Sequence, residues 1–336
     1  MDFTGFLGND AIKRRLSGAF ASGRVAHSYL LCGPAGSGKH TLARILCAAM
    51  ECEKDGAAVP CGVCPGCRKA LAGIHPDVIT VDDPDHKAMT VDPIRAARSD
   101  MFIRPNEGRR KIYVIPRGQD MNESAQNALL KILEEPPDYG AFLILSTNAE
   151  RLLPTIISRT QEVAVPRIAP DVLERVARER GIADPVKARN MARLAGGDLL
   201  ELKHLVAGES DALRKENFDL FCGLMRLSYN DKHLELVAWA EDAAQLSREQ
   251  QRAFLRDAAR LLRESYMLHA GIGEVCYLWG EELAFCTKFA PFIGSQNIEP
   301  LIGEIESALA QISQNGNPTI VFTHFALAVC KMIKRL

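Results

Sequence analysis

Gly33-Pro34-Ala35-Gly36-Ser37-Gly38-Lys39 has the spacing G-x-x-x-x-G-K. Glycines in such a run let backbone N–H groups curl around phosphate oxygens, and the lysine adds a point charge. An apolar strand pattern, Ser28–Cys32, precedes the run, and a helical pattern, Thr41–Met50, follows it. The N-terminus of that helix favours an anion through its dipole. Gly33, Gly36, Gly38, Lys39 and Thr41 are therefore the expected nucleotide-binding residues. One position departs from the pattern. A Ser or Thr hydroxyl directly after the lysine binds Mg²⁺, but here that residue is His40 and Thr41 follows. A step of one residue turns a helical side chain by roughly 100°. The expectation is a loop able to take ATP but poorly equipped for Mg²⁺.

A second cluster follows directly. Cys52, Cys61, Cys64 and Cys67 are spaced C-x8-C-x2-C-x2-C. Two-residue gaps let neighbouring thiolates converge on one ion, and four sulfurs suit tetrahedral Zn²⁺. Pro60, Gly62, Pro65 and Gly66 supply the tight turns. Four thiolates leave no open coordination position, so the expected role of the metal is structural. Unligated thiols, a disulfide pair and an iron–sulfur cluster share the same spacing. The remaining cysteines are scattered, and Cys222, Cys276, Cys286 and Cys330 read as small apolar packing residues.

The elements that must position these groups alternate. Strand patterns at Ser28–Cys32, Val78–Val81, Lys111–Ile115, Ala141–Leu145 and Glu162–Val165 are separated by helical ones. That order implies a parallel sheet with crossover helices. Asp92 and Pro93 read as the cap and first residue of a helix running through Ile94-Arg95-Ala96-Ala97. After Pro166 strands cease. Pro170 to about Gly208 reads as a small helical unit broken at Gly181 and Gly196-Gly197, and from about Asp211 everything is helical. Leu301, Ile305, Leu309 and Ile312 share one face. Asn315-Gly316-Asn317-Pro318 turns into a last helix, Thr319–Lys334. The expected fold class is an α/β P-loop domain (1–166), a helical lid (167–209) and an all-α C-terminal domain (210–336). A formal net charge of −1 excludes a broadly basic nucleic-acid binder. No apolar run is long enough for a membrane span and no secretory leader pattern opens the chain, so the expected location is cytoplasmic.

Four stretches, in this order and spacing, resemble the AAA+ clamp-loader subunits of bacterial DNA polymerase III, gamma/tau and delta-prime. They are Gly23-Arg24-Val25-Ala26-His27-Ser28-Tyr29-Leu30, the four-cysteine insertion, Asn127 to Pro137 (NALLKILEEPP), and Leu153 to Thr160 (LPTIISRT). The resemblance covers about residues 5–165, and the Asn-x-Asn-Pro turn extends it more weakly. It implies other clamp-loader subunits as partners, with the sliding clamp and primed DNA reached through the complex.

Departures from the family pattern point toward the delta-prime type. The strand Lys111-Ile112-Tyr113-Val114-Ile115 should end in the two Walker B acids, yet Pro116 and Arg117 follow. Leu200 stands at the sensor-2 position after Gly197-Asp198, where an active subunit carries arginine. Ser146-Thr147-Asn148 keeps a polar sensor-1 region. Lacking Mg²⁺ ligands and a water-activating carboxylate, the chain should hydrolyse ATP weakly or not at all. Arg159 is retained, and the resemblance implies that it acts in trans on a neighbour's ATP as an arginine finger. The end of the chain at Leu336 agrees with a delta-prime length expectation. The alternative is a gamma/tau-type ATPase with Thr41 serving Mg²⁺. Three further features carry no firm assignment. His27 reads equally as a nucleotide neighbour or a packing residue, Arg109-Arg110-Lys111 as a DNA contact or, more readily, a solvated strand entry, and Glu134-Glu135-Pro136-Pro137 as a helix end and turn.

Overall fold

The computed structural model describes residues 2–54, 59–83, 88–207 and 211–333. The expected boundaries at Gly208 and Lys334, and the termini Met1 and Leu336, lie outside them. The chain divides into two compact units, Met1–Leu173 with Ala195–Glu201, and Glu174–Leu194 with Leu202–Leu336.

The first unit is built from α1 (Asp10–Ala21), β1 (Ser28–Cys32), α2 (Lys39–Met50), α3 (Pro65–Ala72), β2 (Val78–Thr80), α4 (Val91–Met101), β3 (Lys111–Ile115), α5 (Glu123–Glu134), β4 (Gly140–Ser146), α6 (Pro154–Ile157) and β5 (Gln161–Ala164). The strands form one parallel sheet in the order β2-β3-β4-β1-β5. β1, β3 and β4 are nearly continuous apolar runs because helices cover both sheet faces. Leu16, Tyr29, Leu31, Leu42, Leu46 and Leu143 fill one face, while Leu30, Tyr113, Ile115, Leu129, Phe142 and Ile144 fill the other. The alternation of Tyr29, Leu30 and Leu31 between the two cores is the period of a strand.

One helix start differs from the expectation. α4 begins at Val91 with Thr90 as N-cap, so Asp92 and Pro93 sit inside its first turn. The Asp83 carboxylate accepts from the Thr90 N–H (3.3 Å) and hydroxyl (2.7 Å), which fixes the helix start two residues earlier than the Asp-Pro pair suggests. Proline is tolerated there because its missing N–H has no intrahelical partner to lose.

Helices α7 (Pro170–Glu179), α8 (Pro185–Leu194) and α9 (Leu199–Ala207) follow, and the division between the units runs through α7 and α9. The second unit continues with α10 (Asp211–Tyr229), α11 (His233–Gln245), α12 (Arg248–His269), α13 (Gly280–Phe289), α14 (Ile298–Ser313) and α15 (Pro318–Met332). Its core includes Phe221, Leu236, Phe254, Leu301, Ile305, Ile312, Phe322 and Phe325. Asn317 caps α15 by accepting from the N–H groups of Thr319 (3.0 Å) and Ile320 (3.4 Å). The apolar stripe and the turn read from the sequence are both present. The Glu282 carboxylate is bound by both Arg214 (2.7 and 2.8 Å) and Arg260 (3.0 Å). Burial alone would raise the Glu282 carboxyl, but the two guanidiniums outweigh it and hold it below the usual range.

Candidate functional site

Sheet order places three loops side by side. β3, β4 and β1 are adjacent, so the loops leaving their carboxyl ends share one edge. These are the phosphate loop after β1, Pro116-Arg117 after β3, and Ser146-Thr147-Asn148 after β4. That edge is where open parallel sheets bind ligands.

The phosphate loop keeps its backbone. Gly36 and Gly38 have φ of 67° and 91°, a region that side chains disfavour. A Cβ on Gly33 would lie 2.0 Å from the Val165 carbonyl oxygen. Gly38 opens α2, and the Phe6 ring packs against it at a distance that leaves a Cβ 3.2 Å from the ring. Thr41 lies against Gly5 of the same N-terminal segment. The Ser37 hydroxyl is buried and has no hydrogen-bond partner among the described residues.

The charges around the loop are bound within the chain. Lys39 is 4% exposed and donates to the Pro34 carbonyl at 3.0 Å. Burial lowers the pKa of its ammonium, against the raising influence of Cys32 and Asp198. Asp198 itself is close enough to Gly36 that a Cβ there would fall 1.8 Å from its carboxylate. The same carboxylate caps α9 by accepting from the N–H groups of Leu200 (2.8 Å) and Glu201 (3.2 Å), and the Leu199 N–H donates to the Gly36 carbonyl (3.3 Å). An acidic group thus stands over a loop shaped for an anion. Leu200 is 57% exposed. His40 is exposed at one side, and partial desolvation of its ring, ahead of the charges of Lys39 and Arg44, lowers its pKa.

No acid occupies the end of β3. Arg117 stands there and bonds to Asp82 Oδ1 (2.7 and 2.9 Å), to the Asp83 carbonyl (2.6 Å) and, at 3.9 Å, to Asp120. Asp120, the nearest downstream acid, is held by this guanidinium. After β4, Ser146 Oγ donates to the Asn148 carbonyl and the Asn148 side chain accepts from the Glu150 N–H, so the polar sensor-1 region forms its own turn. Among the described residues, the end of β3 offers no carboxylate of the kind an Mg²⁺-assisted hydrolytic centre uses. The glycine loop, Lys39 and the unpartnered Ser37 hydroxyl still fit a phosphate.

Arg159 lies elsewhere, after α6, at the surface. Its backbone is fixed because the Ser28 hydroxyl at the start of β1 donates to the Arg159 carbonyl at 2.7 Å. Its side chain is 37% exposed, bonds to the Thr155 carbonyl (3.1 Å) and pairs with Glu134 at 3.0 Å. Glu134, the last residue of α5, received no role from the sequence, yet it holds the guanidinium. The clue lay in the sequence, since Glu134 and Arg159 sit in the two family-like stretches that flank β4.

The four cysteine sulfurs come within 4.8 Å of one another. Cys61 and Cys67 sulfurs are 4.0 Å apart, the Cys64 N–H donates to Cys61 Sγ, and the Cys67 N–H donates to Cys64 Sγ, both at 3.4 Å. Backbone donors from Cys64 and Val63 pull the Cys61 thiol down to about 6, favouring the thiolate that a metal takes. The donor set fits Zn²⁺. Glu51 ties this module to the sheet. Its buried carboxylate accepts from the Arg109 N–H (2.9 Å) and the Arg110 N–H (3.2 Å), and burial pushes its carboxyl up to about 7.

Two readings change with the structure. Lys111 is not a solvated strand entry; it is 5% exposed, and its ammonium binds Asp100 at 2.9 Å. Cys222, Cys276 and Cys286 are packing residues, but the Cys330 sulfur lies among polar groups. His27 is exposed, and its backbone carbonyl accepts from the Phe142 N–H.

A family profile described as DNA polymerase III, delta subunit, matches residues 8–169. The DNA polymerase III subunit delta' of Pseudomonas aeruginosa is 34% identical over 204 residues, covering 60% of this chain and 61% of that protein. The gamma/tau subunit of Mycobacterium tuberculosis is 34% identical over 221 residues, covering 62% of this chain and 38% of that protein. The tau subunit of Escherichia coli is 33% identical over 202 residues, covering 59% of this chain and 31% of that protein. The chain thus spans less than two thirds of the length of each of these relatives. A solved structure of a gamma subunit-related protein from Thermotoga maritima superposes with a TM-score of 0.47 at 17% identity, over 96% of this chain and 99% of that one. Among the described residues no helix is long and apolar enough to cross a membrane.

Proposed function

Starting from a chain that is an AAA+ protein related to the clamp-loader subunits of bacterial DNA polymerase III, we propose that it is a non-hydrolysing, delta-prime-like member of such a loader. In this reading it works in DNA replication from the cytoplasm, completes an assembly with gamma/tau-type and delta-type subunits, and reaches the sliding clamp and primed DNA through them. Residues 1–166 form the AAA+ domain, 167–209 the lid and 210–336 the domain that joins the assembly. Cys52, Cys61, Cys64 and Cys67 hold a structural Zn²⁺. ATP bound by Gly33, Gly36, Gly38, Lys39 and Thr41 would be held without turnover. Arg159 is the catalytic contribution, made to a neighbour's nucleotide.

The observation that carries this reading is the contrast at two arginines. Arg117 stands where the hydrolytic acids would be and is tied to Asp82, the Asp83 carbonyl and Asp120, whereas Arg159 pairs with one carboxylate, the exposed Glu134, beside hydrogen bonds within its own turn. Hydrolysis of a nucleoside triphosphate rests on positioning and charge stabilisation, so loss of the acids removes it while an outward arginine can serve another site. The test is ATP turnover by the full chain alone. The expected result is no turnover above that of a Lys39→Ala variant. A rate lost on Lys39→Ala would overturn the proposal in favour of a gamma/tau-type ATPase, the second reading, which the intact Gly-Lys loop supports.

A further inference from the structure

We propose a second metal site, for a single divalent ion of the zinc class, formed by Asp231, His233 and Cys330 in the C-terminal helical unit. Asp231 occupies the turn between α10 and α11 with φ 53°, a left-handed conformation that folds its side chain back beside the first residue of α11, His233. The His233 N–H donates to the Asp231 carbonyl at 3.0 Å, which closes the turn. Cys330 comes from α15, about a hundred positions later, and is 2% exposed.

The sulfur of Cys330 lies 3.7 Å from Asp231 Oδ1 and 3.9 Å from His233 Nδ1. All three donor atoms fall within 4.8 Å of one another. Bonds of about 2.3 Å to sulfur and about 2.0–2.2 Å to nitrogen and oxygen, set at tetrahedral angles, put neighbouring donors about 3.6 Å apart. The observed sulfur–oxygen and sulfur–nitrogen separations match those edges to within a few tenths of an ångström. One thiolate, one imidazole and one carboxylate are the donor types that borderline divalent ions prefer. Binding releases the thiol proton to solvent, and the thiolate and carboxylate then balance the dication. The thiol also lies 3.5 Å from the Ser228 carbonyl, and the buried Ser228 hydroxyl has no hydrogen-bond partner among the described residues. Asp231 and His233 are exposed, so the fourth position opens to water. This makes the site weaker and more exchangeable than the four-cysteine cluster. When filled, it clips the α10–α11 turn to α15.

The experiment is a Co²⁺ titration of the metal-free full chain, read by the sulfur-to-cobalt absorption and by bound metal per chain. Two equivalents are expected, the second with roughly a quarter of the thiolate absorption of the first. His233→Ala and Asp231→Ala, both at exposed positions, should lose the second equivalent and keep the first. Cys61→Ser should weaken the first and keep the second. A single equivalent in the parent chain, or a second one unchanged in both His233→Ala and Asp231→Ala, overturns the proposal and leaves Cys330 as a hydrogen-bonded thiol.

Discussion

Two arginines in the first unit, one following β3 and one following α6, differ in their partners. Arg117 follows β3 and is held by Asp82, the Asp83 carbonyl and Asp120. Arg159 follows α6 and meets one exposed carboxylate, Glu134. A guanidinium shared by two carboxylates and a carbonyl is a structural tie. One paired weakly with a surface acid can exchange that partner for phosphate at little cost, because exposed pairs contribute roughly 0–1 kcal/mol. In the proposed function, the phosphate loop keeps its backbone while internal charge pairs stand where the hydrolytic acids would be.

The largest expected effect sharpens this contrast. If the proposed function holds, Arg159→Ala in a loader reconstituted with gamma/tau-type and delta-type subunits should lower ATP turnover by on the order of 10³-fold, with no change in the melting temperature of the isolated chain. Steady-state turnover beside a thermal melt checks both halves. A turnover loss below twofold would remove Arg159 from the neighbour's chemistry.

Arg117→Ala should do the reverse. Its removal leaves Asp82 and Asp120 without their cation, so the isolated chain should melt about 2–4 °C lower, while turnover of the assembled loader stays within twofold. Equal loss of turnover in the two variants would break the comparison.

Much of this was legible in the sequence, and the exceptions have physical causes. Strand positions were readable because parallel strands buried on both faces are apolar runs, as Ser28–Cys32 and Lys111–Ile115 are. The phosphate loop and the cysteine cluster were readable because each is local, with spacing that fixes geometry. The start of α4 was misplaced by the Asp92-Pro93 pair because Asp83, outside the helix, binds Thr90. Lys111 read as solvated because nothing local shows that Asp100 closes over its ammonium. Asp198 over Gly36, and Cys330 beside Asp231 and His233, were not legible at all, and Glu134 beside Arg159 was hinted at only by the two family-like stretches that hold them. Each joins segments far apart in the chain, and no short window contains both partners.

A smaller effect tests the closed loop. Asp198→Asn keeps a capping side chain for α9 but removes a negative charge beside Gly36. Coulomb repulsion between unit charges a few ångströms apart near a protein surface amounts to about 1 kcal/mol or more, so affinity for ATP without Mg²⁺ should rise about fivefold or more, measured by fluorescence titration of the full chain. On the proposed function no hydrolysis is expected in this variant, since Pro116 and Arg117, not acids, follow β3. A tighter loop that also turned over ATP would show that charge alone, not the missing ligands, silences the site.

The smallest expected effect concerns how Arg159 is presented. Glu134 holds the guanidinium at 3.0 Å, and Thr155 supplies a second, backbone contact. If the pair only restrains Arg159, Glu134→Gln should leave a hydrogen bond in place and alter assembled turnover by no more than about twofold, since an exposed pair is worth so little. If the pair competes with the neighbour's phosphate, Glu134→Ala should raise the apparent affinity for ATP at that neighbouring site at low salt, and the gain should fade as ionic strength shortens the Debye length to about 8 Å. A drop in turnover for Glu134→Ala with none for Glu134→Gln would instead assign Glu134 to positioning, because the amide can hold the arginine in place without its charge.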